Sequence, residues 1–210
     1  VPAGVYDAEG ATGDDFRTVG GDYYKPTDAD YEANCEEARA LLAEAGYENG
    51  EGFPVVEYLY NTSDAHKAVA EALQYMWEEE LGVKVTLNNQ EWAAFLQTRK
   101  DGDYSIARNG WIADYNDPIS FLDMWMTGGG NNDAQYSNEE YDSLIKEAKT
   151  TTDVKERMEL LHKAEDKIIG EDNALAPLYF YTQKYMLADG IEGMYYCPLG
   201  YFFFGYTHQA

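Results

Sequence analysis

A chain of 210 residues is long enough to bury a core and fits one or two domains. Its 39 acidic against 15 basic residues give a formal net charge of -24, which argues against a nucleic-acid partner and against anionic lipid surfaces. No apolar run of about 18 residues is present, and Val1-Pro2-Ala3-Gly4 lacks the basic start and apolar stretch of a signal peptide.

Residues 1–28, rich in Gly, Asp and Pro, read as an extended, looped lead-in. From Asp30 the pattern is helical: Tyr31, Ala38, Leu41, Leu42 and Ala45 recur at helical spacing, and Gly46 stands where it stops a helix. Phe53 to Tyr60 is rich in β-branched and aromatic residues and reads as a strand. Ser63 or Asp64 caps a long helix through Val69, Leu73, Met76 and Trp77 that ends near Gly82. Val83 to Leu87 alternates as a strand, and Trp92 to Lys100 is a short helix closed by Asp101-Gly102. Tyr104 to Trp111 is a further strand that runs into the loop from Ile112 to Pro118. Ile119 to Met126 reads as a short apolar helix, and Thr127 to Asp133 as a Gly/Asn loop. Two polar helices follow near Asn138–Lys149 and Asp153–Gly170, then strands at Ala174–Tyr181 and Lys184–Leu187, then an aromatic, Gly-rich tail.

The order βαβαβ, then helices, then strands, predicts an α/β fold with a mixed sheet flanked by helices. In open α/β sheets ligands gather beyond the C-terminal ends of strands, which places Trp111 to Pro118 at the expected binding position.

Catalytic patterns are absent. There is no Gly-x-Ser-x-Gly elbow and no phosphate-binding Gly-rich loop before a helix. Cys35, early in a helix, and Cys197, in a loop before Pro198, fit no zinc or redox spacing and are expected as unpaired thiols. His66, His162 and His208 are isolated, so neither a metal cluster nor a cofactor is expected. Asp114, Asp117 and Asp123 could be imagined as paired glycosidase carboxylates, but a chain this acidic brings carboxylates close by chance. Asp114-x-Asn116-Asp117 resembles part of a calcium loop but lacks the Gly and terminal Glu of that pattern.

A binding role fits better. A buried Asp at the mouth of a strand is costly unless something cationic meets it, and Arg108, in an otherwise apolar strand, asks for an anion. Arg99 lies nine residues earlier, while Trp92 and Trp111 offer flat apolar walls. Ammonium, carboxylate and side chains of a zwitterionic peptide would meet these groups. A structural ion pair between Arg108 and an acidic neighbour accounts for Arg108 equally well.

Several segments carry a resemblance. These are Glu36 through Tyr47 (EEARALLAEAGY), Asn89-Gln90-Glu91-Trp92, Ala107-Arg108-Asn109-Gly110-Trp111-Ile112-Ala113-Asp114-Tyr115-Asn116-Asp117-Pro118 with Ser120-Phe121-Leu122, and the tail Pro198-Leu199-Gly200-Tyr201. Together they resemble the family 5 solute-binding proteins of ABC importers, in their oligopeptide-binding branch. The resemblance implies a periplasmic-binding-protein type II-like lobe and an extracytoplasmic location, periplasmic or lipid-anchored at the outer face of the cell membrane. It implies a peptide ligand, an ABC permease as partner, and no enzymatic activity. Members are longer and two-lobed. Residues 1–182 are therefore expected as the C-terminal ligand-binding lobe of an excised part, and 183–210 as a return segment toward the N-terminal lobe of the same protein.

Carried over by position, Asp114 would hold the peptide ammonium, and the backbone of Gly110 and Ile112 would pair with the peptide main chain as an added strand. Arg108 and Arg99 resemble positions that receive carboxylates, Trp92 would line a side-chain pocket, and Trp111 and Tyr181 would be wall residues. Ile112 stands where a family member has a bridged cysteine, and Asn109 where relatives have a smaller residue. Relatives that bind dipeptides, oligosaccharides or metal chelates are the alternative, which the run from Ala113 to Pro118 disfavours.

Overall fold

The computed structural model describes residues 1–24, 27–197 and 200–210. In chain order the helices are α1 (Phe16–Gly20), α2 (Tyr31–Glu44), α3 (Asp64–Leu81), α4 (Trp92–Asp101), α5 (Ile119–Leu122), α6 (Glu139–Thr150) and α7 (Val154–Glu165). The strands are β1 (Val56–Asn61), β2 (Val85–Gln90), β3 (Ile106–Ala107), β4 (Ile191–Glu192), β5 (Tyr195–Cys197), β6 (Tyr201–Phe203) and β7 (His208–Gln209). They divide into two compact units, one of residues 22–110 and 127–137, the other of residues 1–21, 111–126 and 138–210.

The first unit contains the expected βαβαβ run. Its sheet has the order β2-β1-β3 with every pairing parallel, so β1 is the central strand. Alternation along β1 sends Tyr58 and Tyr60 to one face, where they form a buried cluster with Ala70 and Leu73 of α3 and with Val83 and Val85. Leu59 points the other way and is also fully buried, as a central strand covered on both faces requires. β3 is much shorter than the strand expected from Tyr104 to Trp111. The ladder gains one more bond, from the Arg108 N–H to the Leu59 carbonyl at 2.8 Å, before the Asn109 side chain captures the Gly110 N–H at 2.8 Å. A local side chain thus outcompetes the ladder.

In the second unit α6 and α7 begin on side-chain caps. Asn138 Oδ1 accepts from the N–H groups of Glu140 and Tyr141, and Asp153 Oδ1 from those of Lys155 and Glu156. The core gathers Phe16, Tyr141, Ile145, Leu161 and Ile168, all fully buried, and the Tyr141 hydroxyl donates to the Leu122 carbonyl at 2.6 Å. The lead-in is more ordered than expected: Asp15 caps α1 by accepting from the Thr18 N–H. The apolar helix expected from Ile119 to Met126 is α5 followed by a 3-10 turn over Asp123–Trp125. The last polar helix gives way after Glu165 to a π-helical segment, Asp166–Glu171.

Two expected strands are corrected. Residues 174–187 form no ladder, and Leu178, Tyr179, Phe180, Tyr181 and Met186 are exposed. Aromatic and β-branched side chains favour strands by packing on a half-buried pleated surface, and none is offered here. The antiparallel pairs lie further on, β4 with β7 and β5 with β6. Cys197 therefore ends a strand and does not sit in a loop; both it and Cys35 are free thiols. Pro198 and Leu199 of the tail lie outside the described residues. Among the described residues no helix is long and apolar enough to cross a membrane.

Gly82 ends α3 with φ +67°, and a Cβ there would press on the Asn49 carbonyl oxygen. A side chain would add left-handed backbone strain to a backbone clash. Gly82→Ala is expected to cost about 2 kcal/mol or more in urea unfolding, and a loss under about 0.5 kcal/mol would contradict this packing.

Candidate functional site

In the sheet-bearing unit, the C-terminal ends of β1 and β3 bring Asn61 and Arg108 together, with Arg108 Nη1 3.4 Å from Asn61 Oδ1. His66 of α3 reaches the Asn61 carbonyl, also at 3.4 Å. Burial, and then the positive charge of Arg108, hold the His66 imidazole below its ordinary pKa, against the pull of that carbonyl. Trp92 opens α4 exposed and stacks on Phe95, with ring centroids 5.8 Å apart. Arg99, one turn further, lies over the same Phe95 ring at 5.1 Å.

Arg99 is heavily engaged. Its Nε donates to Asp133 Oδ2 at 2.7 Å and its Nη1 to Asn109 Oδ1 at 2.9 Å, with a longer contact to the Arg108 carbonyl at 3.4 Å. The side chains of Arg99 and Asp133 are only 12% and 15% exposed. Asp133 is held from its backbone as well, since its carbonyl accepts from the Tyr104 hydroxyl at 2.6 Å.

In the other unit, the loop 111–118 is tied down from several sides. The Trp111 indole N–H donates to the Ser120 carbonyl at 2.6 Å, and the buried Ser120 hydroxyl accepts from the Asp114 N–H at 3.0 Å. Asn116 accepts from the Tyr6 N–H and donates to the Gly4 carbonyl, at 2.9 and 3.0 Å. Asp117 caps α5 through the Ile119 N–H at 2.9 Å and takes a bidentate pair of bonds from Arg157, both at 2.9 Å.

Within this framework Asp114 and Ile112 are left open. Asp114 is exposed and not buried as expected; among the described residues its carboxylate has no hydrogen bond or ion pair, and neither the N–H nor the C=O of Ile112 has a partner. Tyr181 is exposed, with its hydroxyl 3.2 Å from that of Tyr179. The glycosidase arrangement does not form: Asp117 is paired with Arg157, and Asp123 with Lys149 at 3.0 Å. In the calcium-loop fragment Asn116 and Asp117 are engaged elsewhere, and among the described residues no group of acidic, His or Cys side chains could hold a metal ion.

Sequence reasoning missed Ser120, Arg157, Asp133 and the two roles of Asp117. The Asp-Pro pair ahead of an apolar helix carried a readable cap signal. Arg157 and Asp133 lie 40 and 34 residues from their partners, and no local pattern announces such pairs.

A model of the family described as "Bacterial extracellular solute-binding proteins, family 5 Middle" matches residues 4–133. The chain is 38% identical over 205 residues to the dipeptide-binding protein DppE of Bacillus subtilis (strain 168), covering 95% of this chain and 36% of that protein. It is 42% identical over 158 residues to the periplasmic oligopeptide-binding protein OppA of Salmonella typhimurium, covering 75% and 29%. A solved structure, the substrate-binding domain of an oligopeptide ABC transporter from Bacillus anthracis str. Ames, aligns with all of this chain and 39% of its own, at 30% identity and a TM-score of 0.76. The chain spans about a third of the length of the curated relatives it matches.

Removing a bidentate, charge-assisted pair and a helix cap costs about 2–3 kcal/mol, so Asp117→Ala should lower the melting temperature by about 5–10 °C. A shift under about 1 °C in a thermal scan would refute this anchoring role. In a proton NMR titration His66 should have a midpoint below that of an ordinary histidine, and Arg108→Ala should raise it. Because unfolded His66 binds its proton more readily, acidification through the ordinary histidine range should favour unfolding at this residue. An unmoved midpoint in Arg108→Ala would place Arg108 too far away to matter.

Proposed function

The chain belongs to the bacterial extracellular solute-binding proteins of family 5, its α/β arrangement is of the periplasmic-binding-protein type II kind, and from that premise we propose that it is the ligand-binding part of an oligopeptide receptor serving an ABC importer. In this reading residues 1–182 form the C-terminal lobe, and 183–210 return toward an N-terminal lobe of the same protein. The location is extracytoplasmic, periplasmic or lipid-anchored at the outer face of the cell membrane, where a permease receives the loaded form. The relatives' names, dipeptide-binding and oligopeptide-binding, support a peptide as the solute.

One observation carries the reading: the Asp114 carboxylate, without a partner among the described residues, stands on a loop fastened through Trp111, Ser120, Asn116 and Asp117. Such a group is arranged in advance for a cation, and a peptide supplies one at its first residue. The open backbone of Ile112, with the Gly110 carbonyl (its N–H being held by Asn109), would pair with the peptide main chain and so recognise it without regard to side chains. Trp92, Trp111 and Tyr181 would wall side-chain pockets, and Arg108 would meet negative charge on the ligand. The role is capture without chemistry on the peptide, completed when two lobes close on it by a hinge.

Closure would turn the Asp114–ammonium contact into a desolvated, hydrogen-bonded pair. Loss of one partner of such a pair costs about 3–5 kcal/mol, so Asp114→Asn in the two-lobed protein should weaken tripeptide binding by about a few hundred-fold or more. Calorimetry showing an undiminished affinity would defeat the assignment.

A further inference from the structure

We propose that the step Asn109–Gly110 is a self-modification site, at which the Gly110 nitrogen attacks the Asn109 carboxamide and Arg99 stabilises the charge that forms. The asparagine is thereby converted to aspartate and isoaspartate, with loss of ammonia and uptake of water. The inference uses residues of the sheet-bearing unit alone and holds whatever the solute is.

The chain contains two Asn-Gly steps, Asn49–Gly50 and Asn109–Gly110. Glycine has no Cβ to shield its nitrogen, so that nitrogen reaches the carboxamide of a preceding asparagine with little hindrance. At Asn109 the approach is already made, because Oδ1 accepts from the Gly110 N–H at 2.8 Å. Oδ1 is bonded to Cγ, so this contact keeps the electrophilic carbon beside the nitrogen that attacks it. Asn109 and Gly110 are both exposed, which admits hydroxide and water.

Arg99 supplies the electrophilic help. Its Nη1 donates to the same Oδ1 at 2.9 Å, the atom on which negative charge gathers when nitrogen adds to Cγ. Asp133 grips the Nε side of the guanidinium at 2.7 Å, and the Phe95 ring lies 5.1 Å from it. The donor is therefore fixed before the reaction begins. Hydroxide removes the Gly110 amide proton, the N–Cγ bond forms, and the Cγ–Nδ2 bond breaks. Nδ2 leaves as ammonia with a proton from water, which restores the hydroxide. Water then opens the resulting five-membered imide. Opening at Cγ gives aspartate on an unchanged backbone, and opening at the main-chain carbonyl gives isoaspartate, with the chain rerouted through the former side chain. Either product adds one negative charge.

Asn49–Gly50 has the same chemistry without the geometry. The Gly50 N–H donates to the Tyr47 carbonyl at 2.8 Å and not to its own asparagine. A Cβ on Gly50 would lie 2.5 Å from the Gly82 carbonyl oxygen, so this step is packed backbone to backbone against the end of α3. That packing resists the rotation that ring closure needs. Two steps that are equivalent in sequence are thus made unequal by the fold.

The test incubates the two-lobed protein at mildly alkaline pH, both folded and in guanidinium chloride. Ammonia loss at each asparagine is followed by peptide mapping with mass spectrometry, and isoaspartate by enzymatic methylation. In the folded protein Asn109 should convert at least about fivefold faster than Asn49, and a smaller ratio would overturn the inference. In denaturant the preference should fall below that value; its persistence there would overturn the inference too, because the fold would then not be its source. Arg99→Gln should slow Asn109 at least about threefold while Asn49 stays slow, which reports that the variant is folded. An Asn109 rate unchanged or raised in that folded variant would remove Arg99 from the reaction. Should the variant unfold, the comparison of the two asparagines in the unaltered protein still decides.

Discussion

The bidentate contact between Arg157 and Asp117 is the constraint on which the candidate site turns. It draws a loop segment onto α7, while the same Asp117 starts α5 and Ser120 of that helix holds both Trp111 and the Asp114 backbone. With the cation of the loop's neighbourhood already committed to Asp117, the carboxylate three residues earlier is left without a partner among the described residues. Asn116, reaching Gly4 and Tyr6, ties the loop to the lead-in as well. Ordering a loop costs about 1–2 kcal/mol per residue in backbone entropy, and here folding meets that cost before any ligand arrives.

The sheet-bearing unit follows the same logic with opposite result. Because β1 is central, the second crossover passes over it, and the C-terminal ends of β1 and β3 lie side by side. That geometry gathers Asn61, His66 and Arg108 at one edge, the position where open α/β sheets accept ligands. Beside it Arg99 is occupied, with an aromatic face below and acceptors around it. Asn109 and Asp133 engage the Gly110 N–H and Arg99, groups that the resemblance assigns to the solute.

Much of this fold was legible in the sequence. The boundaries of α3 and α4 follow from Gly82 and Gly102, whose left-handed backbone suits glycine, and those of α6 and α7 from the caps Asn138 and Asp153. These signals are local and need no knowledge of what packs where. The segment 174–187 misled because its side chains are strand formers, yet a strand exists only if another edge pairs with it. The site divides in the same way. The loop from Trp111 to Pro118 stood out by its position in the βαβαβ pattern and Asp114 within it by the family resemblance, while Arg157 and Asp133 depend on long-range contacts that no spacing rule reveals.

The central claim, that a fastened loop offers an unpaired carboxylate to a peptide ammonium, is tested most directly by blocking that ammonium. Calorimetry should compare one tripeptide with its N-acetyl derivative on the two-lobed protein. The account predicts that acetylation weakens binding by about a hundredfold or more. Equal affinities for the two would contradict it.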